Sequence, residues 1–401
     1  MRRAAIVGPL RTPVGGFGGA LRPLPAEELA ALVVRELVSR SGIDPERIDD
    51  VVFAQSYANS EAPCIGRWAA LRAGLPIEVP GFQLDRRCGG GLQSVATAAM
   101  LVQTGVADVV VAGGVESMSN VEHYTTAARW GSRAGGIVLH DRLDRGRERS
   151  QPEDRFGRIS GMIETAENVA RLHNISREDA DAYAARSQQR AAKAWNDGRF
   201  TDEIVPVPVP QRRGEPVVVD RDEGLRPDTT VEGLARLRPI MPDGTVTAGN
   251  SCQQNDAAAA CLVVAEEVLA ELELEPMAFL RGWAAAGCDP ATMGLGPVPA
   301  VAKLFARTGV GFDDIDLIEL NEAFACQVLG VLAGWGVSDR EVGDRLNVNG
   351  SGISLGHPVG ATGVRILTSL VHELRRRGGG LGLETMCIGG GQGMAALIEV
   401  V

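Results

Sequence analysis

Aromatic residues make up only 4% of this 401-residue chain. Single-stranded nucleic acid is held by aromatic stacking platforms, and the chain has too few rings to build one. A basic excess is missing as well. Forty Lys and Arg stand against 51 Asp and Glu, a formal net charge of −11, which argues against nucleic acid or an anionic membrane as a general partner. An anionic small molecule would need a local basic patch. No apolar run approaches the roughly 20 residues of a membrane span. The opening stretch, residues 1–8, reads as a short strand, too soon broken for a signal peptide. The seven cysteines contain no C-x-x-C pair, and with five scattered histidines there is no metal-type spacing. Free thiols in a reducing compartment, and therefore a cytoplasmic location, are expected.

What is present is a large apolar fraction, 45%, and fifty glycines gathered in short runs beside helices. The length suits two or three domains. Residues 4–8 read as a buried strand, and a helix is expected from about Pro25 to Arg40, with Leu29, Leu32, Val33 and Leu37 on one face. Then Ser41-Gly-Ile-Asp-Pro-Glu-Arg-Ile-Asp-Asp-Val-Val-Phe53 finds a counterpart in Thr308-Gly-Val-Gly-Phe-Asp-Asp-Ile-Asp-Leu-Ile-Glu-Leu320. Downstream, Cys88 and its helix lead to the strand Val109–Gly114, while His357 and a helix lead to a strand around Leu381–Ile388. The chain is a duplication. Its first half covers residues 1–117 and 249–272, its second 273–401, and residues 118–248 are an insertion. That insertion holds an Arg-rich stretch (Arg142–Arg158), a helix over Arg177–Asn196 with Ser176 and Asp179 as a capping pair, and Pro-rich edge strands at Ile204–Val209 and Val217–Val219. Alternating strands and helices imply two α/β units with mainly parallel sheets, packed about a pseudo-twofold axis.

That packing would face corresponding helix mouths toward one region, bringing Cys88 from one half to His357 and Cys387 from the other. Cys88, in Asp85-Arg-Arg-Cys-Gly-Gly-Gly-Leu-Gln-Ser94, lies where a helix opens and backbone N–H groups are unpaired. Such a setting is expected to lower a thiol pKa and favour the nucleophilic thiolate. His357, flanked by glycines, is a candidate base. Cys387 ends a strand just before Gly389-Gly-Gly391. Asn321 follows a strand at its carboxyl end, where α/β folds place ligands; a helix cap is the plain alternative for it. A buried structural thiol is likewise the plain alternative for each cysteine, and Cys64, Cys261, Cys288 and Cys326 are left with that reading.

The motifs RTPVGGFGG, CGGGLQS, GGVESMS, TAENVA, LRP, TAGN, MGLGPVPA, NEAFA, GHPVGATG and CIGGGQG run along the whole chain, and together they resemble the thiolase family. The resemblance implies a duplicated α/β/α/β/α five-layered fold with an inserted loop domain. It implies an acyltransferase that carries an acyl group on Cys88 as a thioester, with His357 activating the thiol and Cys387 moving the proton of the second substrate. Oxyanion stabilisation would come from the amides of Cys88 and Gly389, and from His357 with a water held by Asn321. Coenzyme A and acyl-CoA would be substrates, with no permanently bound cofactor. By the same resemblance Arg226 would meet the adenine and phosphate end of CoA. Ala248, Gly249 and Cys252 would line the pantetheine channel, and Met162, Met293 and Phe324 its reacting end. A homodimer or homotetramer is implied.

Three positions depart from the family pattern: Cys252 replaces a usual serine, Gly161 a histidine or serine, and Glu122 a proline. The reaction implied is condensation to, or CoA-dependent thiolysis of, a 3-ketoacyl-CoA, with acetyl-CoA C-acetyltransferase first and a degradative 3-ketoacyl-CoA thiolase as the alternative. A decarboxylating ketoacyl synthase would pair one cysteine with two histidines, or with a histidine and an asparagine. A non-catalytic acyl-CoA-binding or sterol-binding relative would lack some of the four active residues.

Overall fold

The computed structural model describes residues 2–401. Nine strands carry the architecture: β1 (Ala4–Arg11), β2 (Asp50–Ala54), β3 (Gly81–Leu84), β4 (Val109–Ser117), β5 (Asn255–Ala265), β6 (Ala278–Gly287), β7 (Leu317–Leu320), β8 (Gly380–Ile388) and β9 (Gln392–Val400). With the short strand Gly15–Gly16 beside β5, they form a ten-stranded sheet ordered β7-β8-β9-β6-β1-β5-β4-β2-β3 among the described residues. The helices that matter below are α1 (Ala26–Ser41), α2 (Ile65–Ala73), α3 (Gly90–Gln103), α4 (Arg142–Glu148), α5 (Met162–Leu172), α6 (Arg177–Asn196), α7 (Pro297–Thr308), α8 (Ala325–Trp335) and α9 (Thr362–Arg376).

The duplication is visible in the strand order. Outward from the centre, β1-β5-β4-β2 of the first half matches β6-β9-β8-β7 of the second, and the halves meet where Ala5 and Ile6 of β1 pair with Phe279 and Ala278 of β6. The first half adds β3. In the second half that place is held only by an isolated bridge between Ile318 and Leu346. The pairings correct the expectation of mainly parallel sheets. Only β2–β3, β2–β4 and β7–β8 are parallel; β1–β5, β4–β5, β1–β6, β6–β9 and β8–β9 are antiparallel. The reason is local for β8 and β9, whose connection through Gly389-Gly390-Gly391 is a hairpin turn, far too short for the crossover that parallel neighbours need.

Three apolar cores separate the layers. One packs α1 and α2 on the outer face of the first half, with Leu29, Val33 and Leu37 buried at helical spacing. A third covers the outer face of the second half with α7 and α8. Between them α3 and α9 share a core built by both halves: Leu92, Val95 and Ala99 against Val364, Leu367 and Val371. Small residues let the two helices touch at their N-termini. A Cβ on Gly363 would lie 2.0 Å from the Leu92 backbone nitrogen, so at this crossing backbone meets backbone. The mouths of the two helices are thereby held together.

In the inserted segment, α6 begins at Ser176, whose hydroxyl accepts from the Asp179 amide. The first edge strand is shorter than expected: Val207–Val209 pairs with Val217–Val219, while Ile204 makes only a bridge to Arg11. Pro206, Pro208 and Pro210 remove the amides a longer ladder would use. Arg11 ties the segment to the sheet. Its fully buried guanidinium pairs with Glu203 and, at 2.7 Å, with Asp222.

Candidate active site

Cys88, His357 and Cys387 border one cavity of about 770 Å³ at the meeting of the two halves and the inserted segment. Each arrives by a separate route. Cys88 sits in a single 3-10 turn, Arg87–Gly89, that runs straight into α3. The turn is forced by Arg87, which takes a left-handed φ of +46° while its amide donates to Asp85 Oδ1 at 2.6 Å. A non-glycine residue in that region carries a steric cost. Cys387 ends β8, and Gly389, two residues on, turns its amide onto the Cys88 sulfur. The amide of Cys88 points to the same sulfur. Two backbone N–H donors thus converge on the Cys88 sulfur.

The thiol itself corrects one expectation. Burial pushes Cys88 up from its ordinary pKa, and the Gly389 amide, the Arg87 guanidinium and its own amide only partly offset that. The resting group is a thiol, because a thiolate here would be stripped of water faster than the helix mouth can replace it. A base must take its proton. His357 borders the same cavity. Its backbone amide donates to Asn255 Oδ1 at 2.8 Å, and Nδ1 lies 2.6 Å from Thr362 Oγ1. The Thr362 hydroxyl donates to the Pro358 carbonyl at 2.9 Å, so it accepts from His357 and the proton belongs on Nδ1. Nε2 then keeps its lone pair. Burial, with the positive charges of Arg365 and Arg147 adding to it, pushes His357 down to about 3, so the ring is neutral.

Asn321 is fully buried, with Nδ2 3.5 Å from His357 Nδ1 and Oδ1 unpaired. It stands behind the imidazole rather than on the cavity wall. Met162, Met293, Phe324 and Cys252 gather with Cys387 in one apolar cluster, and Ala248 also borders the cavity. Cys387 is held well above the ordinary thiol range by burial and by its neighbours Cys88 and Cys252; Cys252 is pushed up to about 12, mainly by burial. Gly249 lies one residue off the wall, against Leu234 and Leu237. Arg226 is exposed and belongs to a separate shallow recess with Leu225 and Asp228; its amide donates to Gln188. Of the three departures, Cys252 and Gly161 border the cavity, while Glu122 pairs with Arg142 at 2.8 Å.

Sequence reasoning passed over four residues. Glu116, on β4, receives the amides of Ser56 and Gly360 on one carboxylate oxygen, at 3.1 and 2.9 Å, and that of Tyr57 on the other at 3.1 Å. It ties the His357 loop to the end of β2, and burial raises it to about 8. Thr362 orients the imidazole. Tyr57 and Arg147 both line the cavity. Glu116 and Thr362 were within the quoted motifs GGVESMS and GHPVGATG, but nothing in one dimension marks which side chains aim at other loops.

The models of the thiolase N-terminal domain and the thiolase C-terminal domain match residues 4–267 and 274–400. An acetyl-CoA acetyltransferase of Chromobacterium violaceum is 45% identical over 398 residues, 98% of this chain and 99% of its own. The crystal structure of the Bacillus anthracis acetyl-CoA acetyltransferase superposes with a TM-score of 0.95 at 41% identity, covering 100% of this chain and 99% of that one. Human mitochondrial 3-ketoacyl-CoA thiolase in complex with CoA gives 0.92 at 38% identity, over 100% and 98%. Two matched domain models, near full-length relatives and the five-layered duplicated fold agree: this chain belongs to the thiolase family.

Proposed function

We propose that this acyltransferase runs the reversible Claisen chemistry of a 3-ketoacyl-CoA through an acyl-cysteine, with acetyl-CoA C-acetyltransferase as its first activity. The carrying observation is the convergence of two thiols, a neutral imidazole and two amide donors in one cavity. Cys88 Sγ adds to the thioester carbonyl while its proton passes to His357 Nε2, and the oxyanion is held by the Cys88 and Gly389 amides. The carbon–sulfur bond to CoA then breaks, and CoA leaves as the thiol with the proton of Cys387. Cys387, now a thiolate, takes a proton from the methyl group of acetyl-CoA. The resulting enolate, with its oxygen toward the protonated His357, attacks the acyl-cysteine. Cys88 leaves the adduct and recovers its own proton from His357. Thiolysis is the same path reversed. A degradative 3-ketoacyl-CoA thiolase uses the same steps with a longer or modified acyl group.

The cavity takes the thioester and pantetheine, along Ala248, Gly249 and Cys252, and the exposed Arg226 takes the anionic end of CoA. We read residues 118–248 as the segment that supplies this CoA side and the oligomer contacts. The exposed Trp130, Val138 and Leu139 on it fit a homodimer or homotetramer, which light scattering would check. Among the described residues no helix is long and apolar enough to cross a membrane; the cytoplasmic location we propose rests on the free thiols, which a reducing compartment keeps reduced. The test is loss of acetoacetyl-CoA on adding CoA, and release of CoA thiol from acetyl-CoA. Cys88→Ser should abolish both while CoA still binds. Turnover that survived this change would remove the nucleophile assignment.

A further inference from the structure

Acyl transfer asks only room of the space that takes the rest of the acyl chain, and a plain alkyl chain would be met by apolar walls. The wall here carries charge. Arg147, the sixth residue of α4, borders the same cavity as Cys88 and lies against the Tyr57 hydroxyl. Its placement is built from several sides. Arg87, next to the nucleophile, donates from Nη1 to the Gly146 carbonyl and to Ser150 Oγ, both at 3.1 Å, and so fastens α4 over the site. Gly146 leaves space for the Tyr57 ring, whose Cε1 would be 3.4 Å from a Cβ there. Gly161 faces Arg147 with no side chain of its own; a Cβ on it would stand 3.8 Å from Arg147 Cβ.

The charge on Arg147 is poorly answered within the protein. Among the described residues its one ion-pair partner is Asp144, at 3.3 Å on the same helix, and that carboxylate is 71% exposed while the Arg147 side chain is 22% exposed. A pair of this kind contributes little. The other acids on the wall are occupied or turned away: Asp85 accepts the Arg87 amide, and Glu148 faces Arg158 at 3.9 Å. A planar fork of donors, withdrawn from water inside a substrate cavity, suits a carboxylate above all. An acetyl group is too short to use it.

Resting on the acyl-transfer reading above, and within it on the degradative alternative with a modified acyl group rather than on acetyl transfer, we infer that the acyl group carried by Cys88 ends in a carboxylate bound by Arg147 and Tyr57, so that the preferred substrate is the CoA thioester of a 3-oxo dicarboxylic acid. Thiolysis then yields acetyl-CoA and the CoA thioester of a dicarboxylic acid two carbons shorter. The carboxylate takes no part in bond making; it fixes the chain while the thioester end reacts.

The experiment compares thiolysis of 3-oxoadipyl-CoA with that of 3-oxohexanoyl-CoA, which has a methyl group in place of the carboxylate, and uses acetoacetyl-CoA as the reference substrate. The wild-type enzyme should favour the dicarboxylic substrate in kcat/KM by about 30-fold, the worth of one well-made charged hydrogen-bond pair. Arg147→Met should collapse that ratio toward one, and Arg147→Lys should restore part of it. Acetoacetyl-CoA turnover with a wild-type ratio at or below one overturns the carboxylate assignment and leaves acyl transfer standing. A ratio unchanged in Arg147→Met, with every KM raised alike, overturns it in favour of a contact to CoA itself. No thiolysis of any of the three removes the acyl-transfer reading and this one with it.

Discussion

Replacing Thr362 by valine should slow the enzyme without reshaping its cavity, because the change removes little more than one hydroxyl. That hydroxyl sits 2.6 Å from His357 Nδ1 and gives its own hydrogen to the Pro358 carbonyl at 2.9 Å. It therefore decides which imidazole nitrogen is the base. Without it a buried N–H loses its acceptor, a cost of about 1–3 kcal/mol. The ring escapes that cost by moving its proton to Nε2, where it can no longer receive the Cys88 proton, or by tilting toward Asn321. At about 1.4 kcal/mol per tenfold, kcat/KM for acetoacetyl-CoA thiolysis should fall roughly 5- to 150-fold. The second assay is the rate of iodoacetamide alkylation of Cys88, followed by peptide mass spectrometry across pH. At neutral pH it should fall together with kcat/KM, and the gap should close in alkali, where the thiol ionises unaided. If both rates stay within twofold of wild type in a protein with native circular dichroism, the tautomer argument is wrong.

Three further outcomes follow from the same geometry. Glu116→Gln turns an NH₂ group toward backbone amides that now meet a carboxylate, so kcat/KM should drop by about tenfold or more as the His357 loop loosens, and alkylation of Cys88 near neutral pH should slow with it. Gly363→Ala places a methyl 2.0 Å from the Leu92 nitrogen and must part α3 from α9; thermal unfolding should show a large loss of Tm or no folded protein. The pH dependence has a definite sign. His357 titrates at about 3 when folded and near 6.5 when unfolded, so between those values only the unfolded chain binds the proton. Its contribution is full above pH 6.5 and is lost as pH falls toward 3, by about 1.4 kcal/mol per unit. Urea midpoints at pH 7.5 and 5 should differ less in His357→Asn than in wild type.

Helix boundaries were largely legible, because periodic Leu and Val with a glycine stop dictate them locally: α6 begins and ends where expected, and α1 is displaced by one residue. Sheet direction was less so. The repeat gave the elements, and the short β8–β9 link already implied a hairpin. But the antiparallel pairs β1–β5, β4–β5, β1–β6 and β6–β9 join strands far apart in the chain, whose relative direction only the assembled sheet sets. The glycines of CGGGLQS and GHPVGATG could be counted in one dimension; that two of them let helices from different halves touch could not.

The sequence by itself determined which groups are on offer: Cys88, His357, Cys387 and Asn321 stand in motifs that resemble those of thiolases, and it is that resemblance which implies acyl transfer through a thiol. Tertiary structure decided how that chemistry is set. Burial raised the Cys88 thiol where a helix mouth alone argued for lowering it, since desolvation depends on every neighbour and not on the local turn. Thr362 set the His357 tautomer through a contact on the far side of the ring. Arg147 came from the inserted segment, well over a hundred residues from the half that supplies His357, to charge a wall that composition alone would have left anonymous. Local pattern fixes which groups exist, and only packing fixes what surrounds them.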